Sequence, residues 1–177
     1  MLTARNYALA GPGAHVYTGL FWPGSHTSVA WPTTNLVFYL PFRLPSPFVI
    51  EELWWGNGAT VSGNVDVGIY SAGAGGPEAR LLQSGSTAQS GTTALQRVNV
   101  TDYTIGRGNF YLAVTVDNTT ATLRRASTLA AAVWPSQLCG VFEQTPGGFG
   151  LPAAATPVTA ATNQYWPVCG FTGSPVR

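Results

Sequence analysis

The chain contains no lysine, and only 8% of its 177 residues are charged. All eight basic side chains are arginines, and no basic run is longer than the pair Arg124 and Arg125. Nucleic-acid binding by phosphate neutralisation calls for a patch of Lys and Arg, so it is not expected. Histidine and cysteine are equally scarce. His15, His26, Cys139 and Cys169 occur singly, without the paired spacing of a zinc site, and no metal or other cofactor is expected. Whether the two cysteines pair or remain buried thiols stays open at this level. No stretch approaches 18 consecutive apolar residues, and the start M-L-T-A-R-N-Y-A-L-A-G-P-G has neither the basic opening nor the apolar run of a signal peptide. Neither a membrane span nor secretion by that route is expected.

What the chain does have is apolar substance. Hydrophobic residues make up 45% and aromatics 12%, enough to bury a core in one domain without staples. A surface so poor in charge suits a subunit packed into something larger, because freely diffusing proteins keep apart by charge. A neutral extracellular sandwich is the plainer alternative.

The middle of the chain alternates with period two between turn signals, which predicts an all-β fold of antiparallel strands, a sandwich of jelly-roll type. In L-V-F-Y-L-P-F, Leu36, Phe38, Leu40 and Phe42 share a face, and Pro41 with the following P-S-P suggests an edge position or a strand end. F-V-I-E-E-L-W-W should run into a turn at G-N-G, residues 56–58. In S-G-N-V-D-V-G-I-Y, Val65, Val67 and Ile69 face inward, and Asn64, Asp66 and Tyr70 face the other way. The glycines and proline of S-A-G-A-G-G-P-E-A-R predict an irregular loop. Gln96, Val98 and Val100 alternate with Arg97 and Asn99. After a tight turn at I-G-R-G-N, Phe110, Leu112, Val114 and Val116 point inward, and Tyr111, Ala113, Thr115 and Asp117 point out. Residues 126–134 read either as two turns of helix or as an extended segment. The chain thus divides into an extended arm over 1–35, a sandwich core over 36–125, and a C-terminal segment over 126–177 that returns to the sandwich and ends in a tail. Both flanks are rich in proline and aromatics, which disfavours regular ladders there.

Candidate chemistry is thin. No G-x-S-x-G elbow occurs, and Ser25 beside His26 is sequence adjacency rather than triad geometry. Glu51 and Glu52 should face opposite ways in a strand, so they cannot flank one bond; Asp66 and Asp117 are the better acid pair, yet no partner base can be placed beside them. The Gly-rich stretches do not lead from a strand into a helix and read as turns. N-V-T at 99 and N-T-T at 118 fit the glycosylation pattern by chance in a Thr-rich chain. No catalytic residues are assigned, and Asp66 is read as a structural anchor that accepts hydrogen bonds from a strand, turn or Arg. The best lead is the set of tryptophans. Trp22, Trp31, Trp54, Trp55 and Trp166 suit either subunit-interface anchors or stacking platforms for sugar rings.

Four stretches carry a resemblance: F-Y-L-P-F-R-L-P-S-P-F-V-I-E-E-L, N-G-A-T-V-S-G-N-V-D-V-G-I-Y-S-A, L-L-Q-S-G-S-T-A-Q-S-G and F-Y-L-A-V-T-V-D-N-T-T-A-T-L. Between Val37 and Leu123, about half the chain, these resemble a β-sandwich found in virion proteins of tailed bacteriophages. The resemblance implies a jelly-roll-like accessory protein, often a homotrimer, on the capsid surface or in the tail and its fibres, and it brings no catalytic residues. The resulting expectation is a non-enzymatic capsid decoration or cement protein, located in the virion, whose partners are the major capsid protein or tail proteins. The alternative is a tail-fibre or head-spike module that recognises host glycans.

Overall fold

The computed structural model describes residues 14–17, 26–126, 140–156, 158–163 and 165–176. Trp22, Trp134, Cys139 and residues 127–134, where helix and extended readings competed, lie outside the described residues.

The fold is an all-β sandwich of antiparallel sheets, as the alternation predicts. Its strands are β1 (Ala14–Tyr17), β2 (His26–Ala30), β3 (Val37–Leu44), β4 (Phe48–Gly56), β5 (Asn64–Gly73), β6 (Gly76–Gln83), β7 (Thr87–Ala88), β8 (Leu95–Ile105), β9 (Gly108–Val116), β10 (Thr122–Ala126), β11 (Phe142–Gln144), β12 (Thr159–Ala160) and β13 (Cys169–Pro175). One sheet has the order β1-β13-β4-β8; the larger one runs β12-β11-β3-β9-β5-β6 with β7 beside β5; β2 and β10 form a separate ribbon.

The main core lies between the sheets. Phe38, Leu40, Phe42, Val65, Val67, Ile69, Leu112, Val114 and Val116 enter it from the larger sheet, and Ile50, Leu53, Trp55, Cys169 and Phe171 from the smaller one. Trp31 and Tyr165 pack in the same cluster, edge to face, with ring centroids 5.0 Å apart and planes inclined at 67°. Burying each such aromatic contributes a few kcal/mol, so these side chains hold the layers together.

Four local readings change. G-N-G is not a turn: β4 runs through Gly56, and Asn57 bridges to Leu123. Its glycines serve close approach, since a Cβ on Gly58 would sit 2.3 Å from Thr122 Oγ1 and 2.4 Å from Ser28 Oγ. The stretch S-A-G-A-G-G-P-E-A-R is no irregular loop but a hairpin turning at residues 74 and 75, with Ala72 opposite Pro77 and Gly73 opposite Gly76. Gly76 there has φ +134°, and Pro77 is tolerated because β6 is the last strand of its sheet. Glu51 and Glu52 break the alternation: the register of β4 shifts against both neighbours here, so Ile50 and Leu53, three residues apart, both reach the core. Finally, the flanks do form ladders. β13 is a full central strand between β1 and β4, and residues 1–35 contribute β1 and β2 rather than only an arm. Pro41 behaves as expected, since β11 pairs with β3 only over Val37–Tyr39 and does not reach it.

The outward face of the larger sheet is also covered. Residues 145–156 leave β11, cross that face and return to β12 as a strap. Leu151 and Ala155 pack on Val37, Tyr39, Tyr70 and Ala113 in a second, smaller core. The alternation of β5 and β9 is therefore real, but its polar-looking face is not turned to water: Tyr70, Ala113 and Thr115 are fully buried.

Candidate functional site

Asp66 sits at the centre of the strap's attachment. It pairs across the ladder with Thr115 on the strap side of β5 and is only 2% exposed. Its Oδ2 accepts the Leu151 backbone N–H at 3.0 Å, and its Oδ1 accepts the Ser84 hydroxyl at 3.3 Å. Burial pushes its carboxyl above the usual range; the Leu151 N–H, the Ser84 hydroxyl and the nearby Arg80 charge offset part of that rise. Arg80 also holds the strap, donating from Nη1 to the Leu151 carbonyl, and its backbone N–H donates to Ala153 O at 2.9 Å. The Tyr70 hydroxyl donates to Pro152 O, and Ala155 N–H donates to Glu78 O at 2.7 Å. The anchor role expected for Asp66 thus has a specific object, the backbone of a crossing segment.

Other polar residues are committed in the same way. Glu143, 9% exposed, accepts from the Thr162 hydroxyl at 2.8 Å and from the Asn163 side chain at 3.0 Å. Desolvation raises its pKa, yet these bonds outweigh it and leave the carboxyl below its usual value. Asp117 likewise ends below its usual value, because donors from Asn64 and Asn118 outweigh desolvation. Asn57, fully buried, accepts the Trp55 indole N–H at 2.8 Å and donates to Gln96 Oε1 at 2.9 Å and to Ser90 O. Nothing in the sequence marked Asn57 or Glu143, because all their partners but Trp55 lie 19 or more residues away along the chain.

Asp66 and Asp117 do lie on one face of the sheet. Asp66 is opposite Thr115, two residues before Asp117, and ladder geometry places such diagonal neighbours roughly 7–8 Å apart. Their carboxylates nevertheless hold different donors, and the depression beside Asp66 is lined without Asp117. Glu51 accepts from Ser174 Oγ at 3.1 Å, and Glu52 faces Arg97 at 3.5 Å across β4 and β8. Among the described residues, no group of three or more His, Cys, Asp and Glu could hold a metal ion, and no helix is long and apolar enough to cross a membrane.

Of the candidate tryptophans, the four described ones are not where outward contacts would need them. Trp31, Trp54 and Trp55 are at most 1% exposed and Trp166 is 6% exposed. Trp31 and Trp55 also have their indole N–H groups satisfied internally, by Leu36 O at 3.1 Å and by Asn57 Oδ1. Their role as interface or glycan contacts is therefore replaced by core packing. Trp55 belongs to the main core, and its neighbour Trp54, outside that cluster, is equally shielded from solvent. Asn118 of N-T-T is locked too, with its amide on Ser62 O and Asp117 and its carbonyl accepting from Thr120 and Ala121. Cys169 is buried in the main core.

Beside Asp66 lies a depression of about 460 Å³ lined by Arg80, Gln83, Ser86, Phe149 and Leu151, among others. Sequence reasoning missed this cluster. It joins β5, the end of β6 and the G-G-F-G turn of the strap, and an aromatic residue set among glycines was its one visible trace.

The chain matches no family model, no curated protein and no solved structure.

Proposed function

We propose that this chain is a non-enzymatic structural subunit of a larger assembly, and specifically a capsid decoration or cement protein of a tailed-phage virion. The observation that carries the assembly reading is the distribution of charge. The chain has only fifteen formally charged side chains, and two of its seven carboxylates, Asp66 and Glu143, are turned inward to hold loops. The outer surface is left even poorer in charge than the sequence suggests, and such a surface is stable against precipitation when neighbours cover it. The virion setting comes from the sequence resemblance over Val37 to Leu123 alone.

Electron microscopy of intact particles carrying the chain tests this reading. Repeating density of the sandwich on the capsid lattice is expected. Recovery of the chain solely as free protein, with particles unchanged by its deletion, would contradict it. A truncation that probes attachment has to end before β1, at residue 13, because removing residues 1–30 also removes β1 and β2.

A further inference from the structure

The depression beside Asp66 has groups that the fold does not use. The Gln83 side-chain carbonyl is buried and, among the described residues, has no hydrogen-bond partner. A carbonyl removed from water without a donor costs about 1–3 kcal/mol, so a purely structural glutamine at this place is poorly explained. Arg80 uses only Nη1 for a side-chain bond within the described residues, leaving its other N–H groups for a ligand. Phe149 is half-buried, between Gly148 and Gly150, and a Cβ on Gly147 or Gly148 would meet nothing within 4 Å, so the turn beside it is open.

The chemistry of this lining selects a ligand class. Arg80 and Asp66 oppose each other in charge, which disfavours both anions and cations. Amide and guanidinium groups suit hydroxyls that both donate and accept, and an aromatic ring suits the C–H face of a pyranose. A space of about 460 Å³ falls in the range of small-ligand sites. We propose that this depression binds a neutral saccharide, with Arg80 and Gln83 bonding its hydroxyls and Phe149 lying against the ring. The site does not depend on the assembly reading, since failure to bind sugar would leave the oligomeric mass unaffected.

Saturation-transfer NMR of the full chain with glucose, galactose, mannose and N-acetylglucosamine, each at about 10 mM, tests the site; a Kd on the order of 1 mM would leave it about nine-tenths occupied. Saturable binding of at least one sugar is expected. Gln83→Ala should weaken it about two- to tenfold, the equivalent of one hydrogen bond, and Ser86→Trp, at an exposed rim position, should block it by filling the space. Neither variant should lower the thermal midpoint of the parent, and Gln83→Ala, which removes the unpartnered carbonyl, can raise it. If none of the four sugars saturates, or if binding survives both substitutions unchanged, the proposal is overturned.

Discussion

A buried carboxylate within β5 is costly to desolvate, and the fold meets that cost with donors. Because burial raises the Asp66 pKa, the folded chain binds that proton more tightly than the unfolded chain does. Its contribution to stability is thus full below the ordinary Asp range and is lost as pH rises through the raised folded value. Asp117 and Glu143 have the opposite sign, since their depressed values give stability above the ordinary carboxylate range that is lost as pH falls through the folded values. Urea unfolding of the parent and of Asp66→Asn at about pH 7 and about pH 3 isolates Asp66, because Asp117 and Glu143 are common to both and the ordinary carboxylate range near pH 4 lies inside that window. The parent should gain stability from Asp66 on that acidification, and the variant should lack this gain; identical pH slopes would refute the assignment. Asn57 offers a second residue-scale test. Asn57→Ala leaves the Trp55 indole N–H without its acceptor and takes a donor from Ser90 O and from Gln96 Oε1, which keeps the Ser90 N–H, and should cost about 2–4 kcal/mol in the same assay. A cost below about 0.5 kcal/mol, the size of an ordinary surface change, would show that the network has other ways to close.

At the scale of elements, the strap is the part of the fold that alternation alone could not reveal. Period two states that a strand has two unlike faces; it does not state what covers the second. Tyr70, Ala113 and Thr115 read as outward, and they are outward from the main core, yet residues 145–156 seal them in. The strap is attached mainly through its backbone, at Leu151, Pro152, Ala153 and Ala155, and backbone bonds leave no trace in a side-chain pattern. Hydrogen exchange checks this attachment. Asp66→Ala should speed exchange of the Leu151 amide, whose acceptor is lost, while the Val114 amide in β9 remains slow. Unchanged protection at Leu151 would mean that Asp66 does not hold the strap.

The strands of the central sheet were legible because their inward residues are apolar at strict spacing: Val65, Val67 and Ile69 in β5, and Leu112, Val114 and Val116 in β9. The β4 bulge, the G-N-G segment and β13 were not, because each depends on a neighbour supplied from elsewhere in the chain. Gly58 looks like turn glycine until Thr122 and Ser28 press against it. Gly58→Ala should accordingly destabilise the chain by about 1–3 kcal/mol, in the range of overpacking, although an exposed turn would accept alanine at little cost. The depression was illegible for the same reason, since Asp66, Arg80, Gln83 and Phe149 meet only through the hairpin and the strap.

At the scale of the whole molecule, two of the seven carboxylates and the described tryptophans are turned inward, and the surface keeps few charges. That combination suits the proposed subunit among copies or partners, and the proposal of a trimer rests on the sequence resemblance over Val37 to Leu123 alone. The solution mass of the full chain by light scattering, at about 100 μM and physiological salt, tests this most directly. The account predicts a species of three times the 18.6 kDa chain mass, independent of added sugar. A soluble monomer that persists at that concentration would contradict it.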